Sequence, residues 1–229
     1  MIKARHTWWA DRLFSLYINP VFRSRFYRFH SLYDIPSADP NLPLLLLPNH
    51  SSWWDGFFIY WLNKTIFKRE AYLMMLDFEL KKNRFFRYLG AYGIHPASLN
   101  VRESLNYTVR LFAKTPPPLI CIFPQGKLSG WNERPIHFQK GLAWLISRIP
   151  SEFQVIMLGT RIEFRNEERP EVFFQFGNCC IVKPAEHYPV QHLEKEMTRI
   201  LECIENKLAA DELGQTIFQG QRSINSRAS

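Results

Sequence analysis

A histidine and an aspartate stand five positions apart in the stretch Pro48-Asn49-His50-Ser51-Ser52-Trp53-Trp54-Asp55-Gly56. An imidazole can take a proton near neutral pH. A carboxylate on one ring nitrogen fixes the tautomer and leaves the other nitrogen as a base. On a continuous helix, positions five apart are turned by roughly 140° and do not share a face. His50 and Asp55 can therefore meet only if His50 lies on a turn and Asp55 in the first turn of a helix. The sequence permits this, because Ser52 is a good N-cap and would place Asp55 three positions into the helix. The same spacing also resembles a capping box, which would explain Asp55 without chemistry.

The elements around the pair are readable. Leu44 to Leu47, bounded by Pro43 and Pro48, reads as a buried strand, and Trp53 to Leu62 as a helix. Leu119-Ile120-Cys121-Ile122-Phe123 is a second buried-strand pattern, ending in the turn Pro124-Gln125-Gly126 before Lys127.

Together, Asn49-His50-x-x-x-x-Asp55 and the later Phe123-Pro124-x-Gly126 resemble the blocks of the glycerolipid acyltransferase family, whose familiar members are lysophosphatidic acid acyltransferases. Phe138-Gln139-Lys140-Gly141, followed by a helix and the strand Val155 to Leu158, looks like a further block of that family. The resemblance runs from about residue 40 to 185. It implies transfer of a fatty acyl group from a thioester, acyl-CoA or acyl carrier protein, to a hydroxyl. Such a reaction needs a base, donors for the tetrahedral oxyanion and an apolar slot. His50 is the candidate base and Asp55 its orienter. The turn at Gly126 is the candidate oxyanion donor, with Lys127 adding charge or meeting a coenzyme phosphate. Gln125, His95 and Arg134 are candidate acceptor contacts. No bound cofactor or metal is implied.

Two departures from the family pattern bear on the acceptor. The usual third block is Phe-Pro-Glu-Gly followed by Thr and Arg. This chain has Gln125 for the Glu, Lys127 for the Thr and Leu128 for the Arg. The usual second block carries an Arg, where this chain has Gly93-Ile94-His95-Pro96. A bidentate Arg is the natural partner of a phosphate monoester. Its loss points to a neutral hydroxyl on a lipid or glycoside, unless Lys127, Arg102 or Arg134 replaces the charge. A lipid-binding module without catalysis and a thioester hydrolase are the other readings of the same residues.

Composition narrows the partners. The net charge of +8 suits a polyanion, and the 15% aromatic content favours an anionic membrane face over nucleic acid. No zinc-finger spacing or RNA-recognition signature is present. No run of 18 apolar residues exists, so no transmembrane helix is expected. The chain start lacks a signal peptide's apolar core, and a peripheral protein on the cytoplasmic side is expected. Cys121, Cys179, Cys180 and Cys203 lack C-x-x-C spacing and read as reduced thiols.

Residues 1–33 are basic and aromatic and read as an amphipathic helical segment. Trp9, Leu13, Leu16 and Tyr17 follow a helical period up to Pro20. That stripe is either a membrane anchor or a packing face. Residues 34–213 read as the catalytic domain. Ala71 to Leu76 and Gly90 to Ile94 are expected as strands, with a helix from Asp77 to Leu89 between them. A helix capped by Asn100 runs to about Lys114. Residues 138–149 are helical, Gln154 to Gly159, Glu171 to Phe176 and Cys179 to Val182 are strands, and residues 186–211 form a long helix. Residues 214–229 read as a loose tail. The alternation predicts a single α/β domain with a largely parallel central sheet flanked by helices.

Overall fold

A computed structural model describes residues 1–96, 101–184 and 188–221. The leucine run becomes β2 (Leu44–Pro48), and it is buried at every position. The reason is its place in the sheet. β2 lies between two parallel neighbours, β5 (Leu119–Cys121) and β6 (Phe153–Glu163), with helices over both faces. Its side chains alternate between two cores. Leu45 and Leu47 join Ile120, Val155 and Met157 on one face, and Leu44 and Leu46 join Cys121, Ile156 and Leu158 on the other.

The sheet extends both ways from this centre. Its order is β4-β3-β5-β2-β6-β7-β1-β9, with β8 (Cys180–Val182) paired to the start of β6. β3 (Ala71–Leu76) and β4 (Ala91–Ile94) continue the parallel half. β7 (Glu171–Phe176) returns antiparallel to β6, and β1 (Arg28–Ser31) pairs parallel to β7. β9 (Gln215–Gln219) closes the edge antiparallel to β1. The expected α/β domain with a mostly parallel sheet is what forms.

One face carries α4 (Val101–Leu111), α5 (Gly141–Arg148) and α6 (Val190–Ala209). The other carries α1 (Trp8–Arg25) and α2 (Asp55–Leu62). α2 starts two residues after the expected Trp53 and runs on through a π-helical turn at Asn63–Phe67 instead of ending at Leu62. The expected helix from Asp77 to Leu89 divides into α3 (Asp77–Lys82) and a 3-10 segment, Arg84–Leu89. α4 stops at Leu111, before the prolines; its expected cap Asn100 lies outside the described residues.

Two corrections concern the chain ends. α1 passes through Pro20 to Arg25, because Pro20 is on the exposed side and the carbonyl it leaves unbonded belongs to exposed Leu16. Residues 215–219, expected in a loose tail, form β9, with the Phe218 ring 4.5 Å from that of Phe29. The basic N-terminal segment likewise supplies a strand, β1, to the sheet it was expected to precede.

Candidate active site

β2 ends at Pro48, and the chain leaves the sheet with its next residues still bonded to β6. Asn49 is buried, and its amide behaves like an extra piece of backbone. Oδ1 accepts the Thr160 N–H at 2.7 Å and Nδ2 donates to the Thr160 carbonyl at 3.2 Å. The Asn49 N–H also donates to Leu158 O at 3.0 Å. This clamp fixes the point from which His50 departs. Sequence reasoning assigned Asn49 no role; a lone Asn directly after a buried strand was the available signal.

His50 and Asp55 meet as expected. Nδ1 of His50 lies 2.9 Å from Asp55 Oδ2. Asp55 is the first residue of α2, not the third, and its carboxylate reaches back over the turn. Oδ2 also accepts the N–H groups of Ser51 at 2.8 Å and Ser52 at 2.9 Å, and Oδ1 accepts the Ser52 hydroxyl at 2.6 Å. Ser52 Oγ in turn accepts the Trp54 N–H at 3.1 Å. The capping interaction and the orienting interaction therefore coexist in one carboxylate.

The geometry settles the His50 tautomer. Two backbone amides can only donate to Oδ2, so Oδ2 is an acceptor and the shared proton sits on Nδ1. In the neutral imidazole Nε2 then carries the lone pair. Asp55 is 2% exposed and the His50 side chain 24%, so the carboxylate is sealed and the imidazole is reachable. The imidazole stacks on Phe123, with centroids 4.2 Å apart. Phe123 comes from the end of β5, which brings the two blocks of the sequence face to face.

The loop after β5 is tied to His50 at both of its backbone groups. Gln125 Oε1 accepts the His50 N–H at 2.7 Å, and Ser129 N–H donates to the His50 carbonyl at 2.9 Å. Gln139 holds the loop from behind. Its N–H donates to Pro124 O at 2.8 Å and its Nε2 to Gln125 O at 3.0 Å. Gly126 has φ of +69°, and a Cβ there would lie 2.8 Å from Gln139 Cγ, so both the turn and the packing require glycine.

Several expected roles change. Gln125 is buried and engaged with the His50 backbone, so it is not placed as an acceptor contact. Gly126 spends its own N–H on Phe123 O at 3.1 Å, closing the turn, and is not the oxyanion donor. The amides of Lys127 and Leu128 follow it, and among the described residues neither donates to a protein group. The Lys127 side chain is exposed and paired with Glu133 at 2.9 Å, which holds the Glu133 carboxyl below its usual range. Arg134 turns inward to Trp131 O at 2.8 Å and to Glu205 of α6 at 3.3 Å. His95 is exposed just beyond β4, three strands from β2. At about 4.8 Å per strand that is roughly 14 Å away, beyond direct reach of His50.

The surroundings of the pair are apolar on one side. Trp53 is 67% exposed, and its ring lies 4.6 Å from that of Phe57. Phe57 continues to Phe14 of α1 and to Phe86, both at 5.9 Å. An aromatic row thus runs from exposed Trp53 through half-buried Phe57 to buried Phe14 of α1. Cavities of 430 and 370 Å³ lie elsewhere, against α6 and α1, and their linings include none of the site residues. Cys121 is buried on β5, and burial pushes its thiol well above the ordinary range, which makes it inert as a nucleophile.

Among the described residues no group of His, Cys, Asp and Glu could hold a metal ion, and no helix is long and apolar enough to cross a membrane. A search among curated proteins found no match. The fold is similar to that of the 1-acyl-sn-glycerophosphate (LPA) acyltransferase PlsC from Thermotoga maritima. Identity is 16% and the TM-score 0.50, over 87% of this chain and 78% of that one, which is a likeness of fold. The model of the Acyltransferase family matches residues 27–158, more than half of the chain and the part that holds His50, Asp55 and the Gly126 turn. The chain belongs to the acyltransferase family.

Proposed function

We propose that the protein is a peripheral O-acyltransferase that moves a fatty acyl group from acyl-CoA or acyl carrier protein to a hydroxyl of a lipid or glycolipid. The observation that carries this is the His50–Asp55 contact of 2.9 Å between Nδ1 and Oδ2, at the sheet's C-terminal edge. The acceptor hydroxyl gives its proton to Nε2 as its oxygen attacks the thioester carbonyl carbon. The oxyanion forms opposite the Lys127 and Leu128 amides. The intermediate collapses with cleavage of the carbon–sulfur bond, and His50 returns the proton to the departing thiolate. The exposed Trp53 ring and the half-buried Phe57 ring against it form the apolar surface along which the acyl chain lies.

The acceptor is a neutral hydroxyl compound. Leu128, 57% exposed, stands where the family pattern has an Arg, and the nearby cations are already paired, Lys127 with Glu133 and Arg134 with Glu205. Membrane attachment is through α1, on the cytoplasmic side, by its exposed apolar stripe and its arginines. The test is thiol release from palmitoyl-CoA with a mixed lipid extract, comparing wild type with His50→Ala. Loss of activity in a folded variant supports the base. Unchanged activity ends this mechanism. A panel of lysophosphatidate, lysophosphatidylcholine and glycolipids then assigns the acceptor, and a strong preference for lysophosphatidate overturns the neutral-acceptor reading.

A further inference from the structure

We infer that Gln125 is the positioning residue of His50 and that its neutral amide sets the pH range over which His50 can act. This rests on His50 being the base. The backbone of His50 has left the sheet, so its N–H and C=O have no ladder partners. Both are bonded instead to the loop after β5, the N–H to Gln125 Oε1 at 2.7 Å and the carbonyl to Ser129 N at 2.9 Å. Gln125 is 8% exposed, and its own carbonyl is held by Gln139 at 3.0 Å. The ring is then fixed at its other end by Asp55 and against Phe123. His50 is thus held by its main chain through one residue and by its side chain through another.

The chemistry of that first contact needs only an acceptor oxygen. A carboxylate of the same length would meet it equally well, but with a charge. The charged groups on the elements around His50 are few. Asp55 comes from α2. Lys127 and Glu133 lie on the same loop as Gln125 and neutralise each other. Arg161 and Glu163 lie at the end of β6 and are paired in the same way. Arg134, on the same loop, is paired with Glu205, and among the described residues Asp55 is the carboxylate in contact with the imidazole. A second carboxylate a few ångströms away would stabilise the imidazolium and keep Nε2 protonated to higher pH. Since only unprotonated Nε2 is a base, the acid limb of the rate profile would move up.

Gln125→Glu and Gln125→Met separate the two roles. Glu keeps the acceptor and adds charge; Met keeps the length and removes the acceptor. For the full chain, kcat is measured against pH, and the His50 ring is titrated by NMR, with His50→Ala assigning the resonance. Gln125→Met is expected to lower kcat about tenfold at every pH with little change in donor KM. Gln125→Glu is expected to restore the high-pH plateau. Its acid limb and its NMR midpoint should both rise by about one pH unit. Superimposable profiles and midpoints for Gln125→Glu and wild type overturn the electrostatic part. A Gln125→Met enzyme with wild-type kcat overturns the positioning part. If Met destabilises the chain, Gln125→Leu, which also removes the acceptor, decides the positioning part, and the Glu variant decides the electrostatic part. A moved midpoint together with full activity in His50→Ala would instead remove the base reading and leave the hold of Gln125 on His50 in place.

Discussion

Among the described residues two histidines are hydrogen-bonded to a carboxylate, and the two pairs differ in what surrounds them rather than in the pair. His30 on β1 lies 2.6 Å from Glu171 on β7, shorter than the 2.9 Å between His50 and Asp55. His30 is 2% exposed, its ring stacked flat on Phe173 at 4.9 Å. Its second nitrogen faces the Thr216 hydroxyl of β9 at 3.5 Å. Both nitrogens are therefore turned to protein groups inside the sheet. His50 has one nitrogen held and the other open at the top of the sheet. The contact distance would rank the pairs the wrong way round. A base is marked by the nitrogen that remains available, and a structural histidine by having none.

That contrast can be broken by crossing the two substitutions. His50→Ala is expected to lower acyl transfer about 100- to 10,000-fold, the usual range for removing a general base. Its thermal midpoint should stay close to wild type, because the His50 side chain is partly exposed and its backbone bonds survive. His30→Ala should do the reverse. It strands Glu171 in the sheet without its partner, at a cost of about 3 kcal/mol. For a chain of this size that lowers the melting temperature by roughly 6–12 °C. Activity per folded molecule should hold at low temperature. Calorimetry and the thiol-release assay on both variants check this, and a stable, inactive His30→Ala would erase the distinction.

Asp55→Asn sharpens the comparison at the pair proposed to be catalytic. An amide can keep the contacts to Oδ2 through its oxygen, while its nitrogen would donate to Ser52 Oγ and reverse the bond that the Ser52 hydroxyl now donates to Oδ1. What it loses is the charge that stabilises the imidazolium during proton transfer. The expected outcome is a folded protein with kcat down about 100-fold. With the negative charge gone, the imidazole holds its proton less tightly, so the acid limb moves to lower pH. That sign is opposite to the one expected for Gln125→Glu. Asp55→Ala, which also releases the Ser51 and Ser52 amides, should lose more activity and some stability.

The parts legible in the sequence were those fixed by local pattern. A five-residue apolar strand buried on both faces can only be a central strand, and it delivers His50 to the sheet edge. The spacing of His50 and Asp55 forces a turn followed by a helix start. β1 and β9 were missed because nothing local distinguishes them. Arg28-Phe29-His30-Ser31 becomes a strand through β7, and residues 215–219 through β1, both distant in the chain. The role of Gln125 was missed for a related reason. A glutamine in a motif turn reads as a substrate contact, and only the tertiary structure shows Oε1 directed at a backbone amide 75 positions away.

α1 offers the same lesson within one helix and the smallest expected effect. Two apolar stripes run along it. Ala10, Phe14, Ile18 and Phe22, spaced by four, are buried in the sheet's α2-side core. Trp9, Leu13, Leu16 and Tyr17, the stripe prominent in the sequence, are the exposed ones, at 45%, 56%, 68% and 58%. Water is a poor home for such a row, and a bilayer surface is a good one. Removing the whole segment would confuse the two faces, because Phe14 and Phe22 belong to the core. Phe14→Ala should cost about 3 kcal/mol of stability. Leu16→Ser should cost little stability, since the side chain is already in water. It should weaken binding to anionic liposomes about tenfold, the loss of roughly 1.5 kcal/mol from one leucine no longer entering lipid. Because Arg12, Arg23 and Arg25 lie on the same helix, binding by both variants and wild type should fall with added salt. Liposome co-sedimentation at two salt concentrations reads both effects. Unchanged binding by Leu16→Ser at either would mean that the exposed stripe meets something other than a membrane.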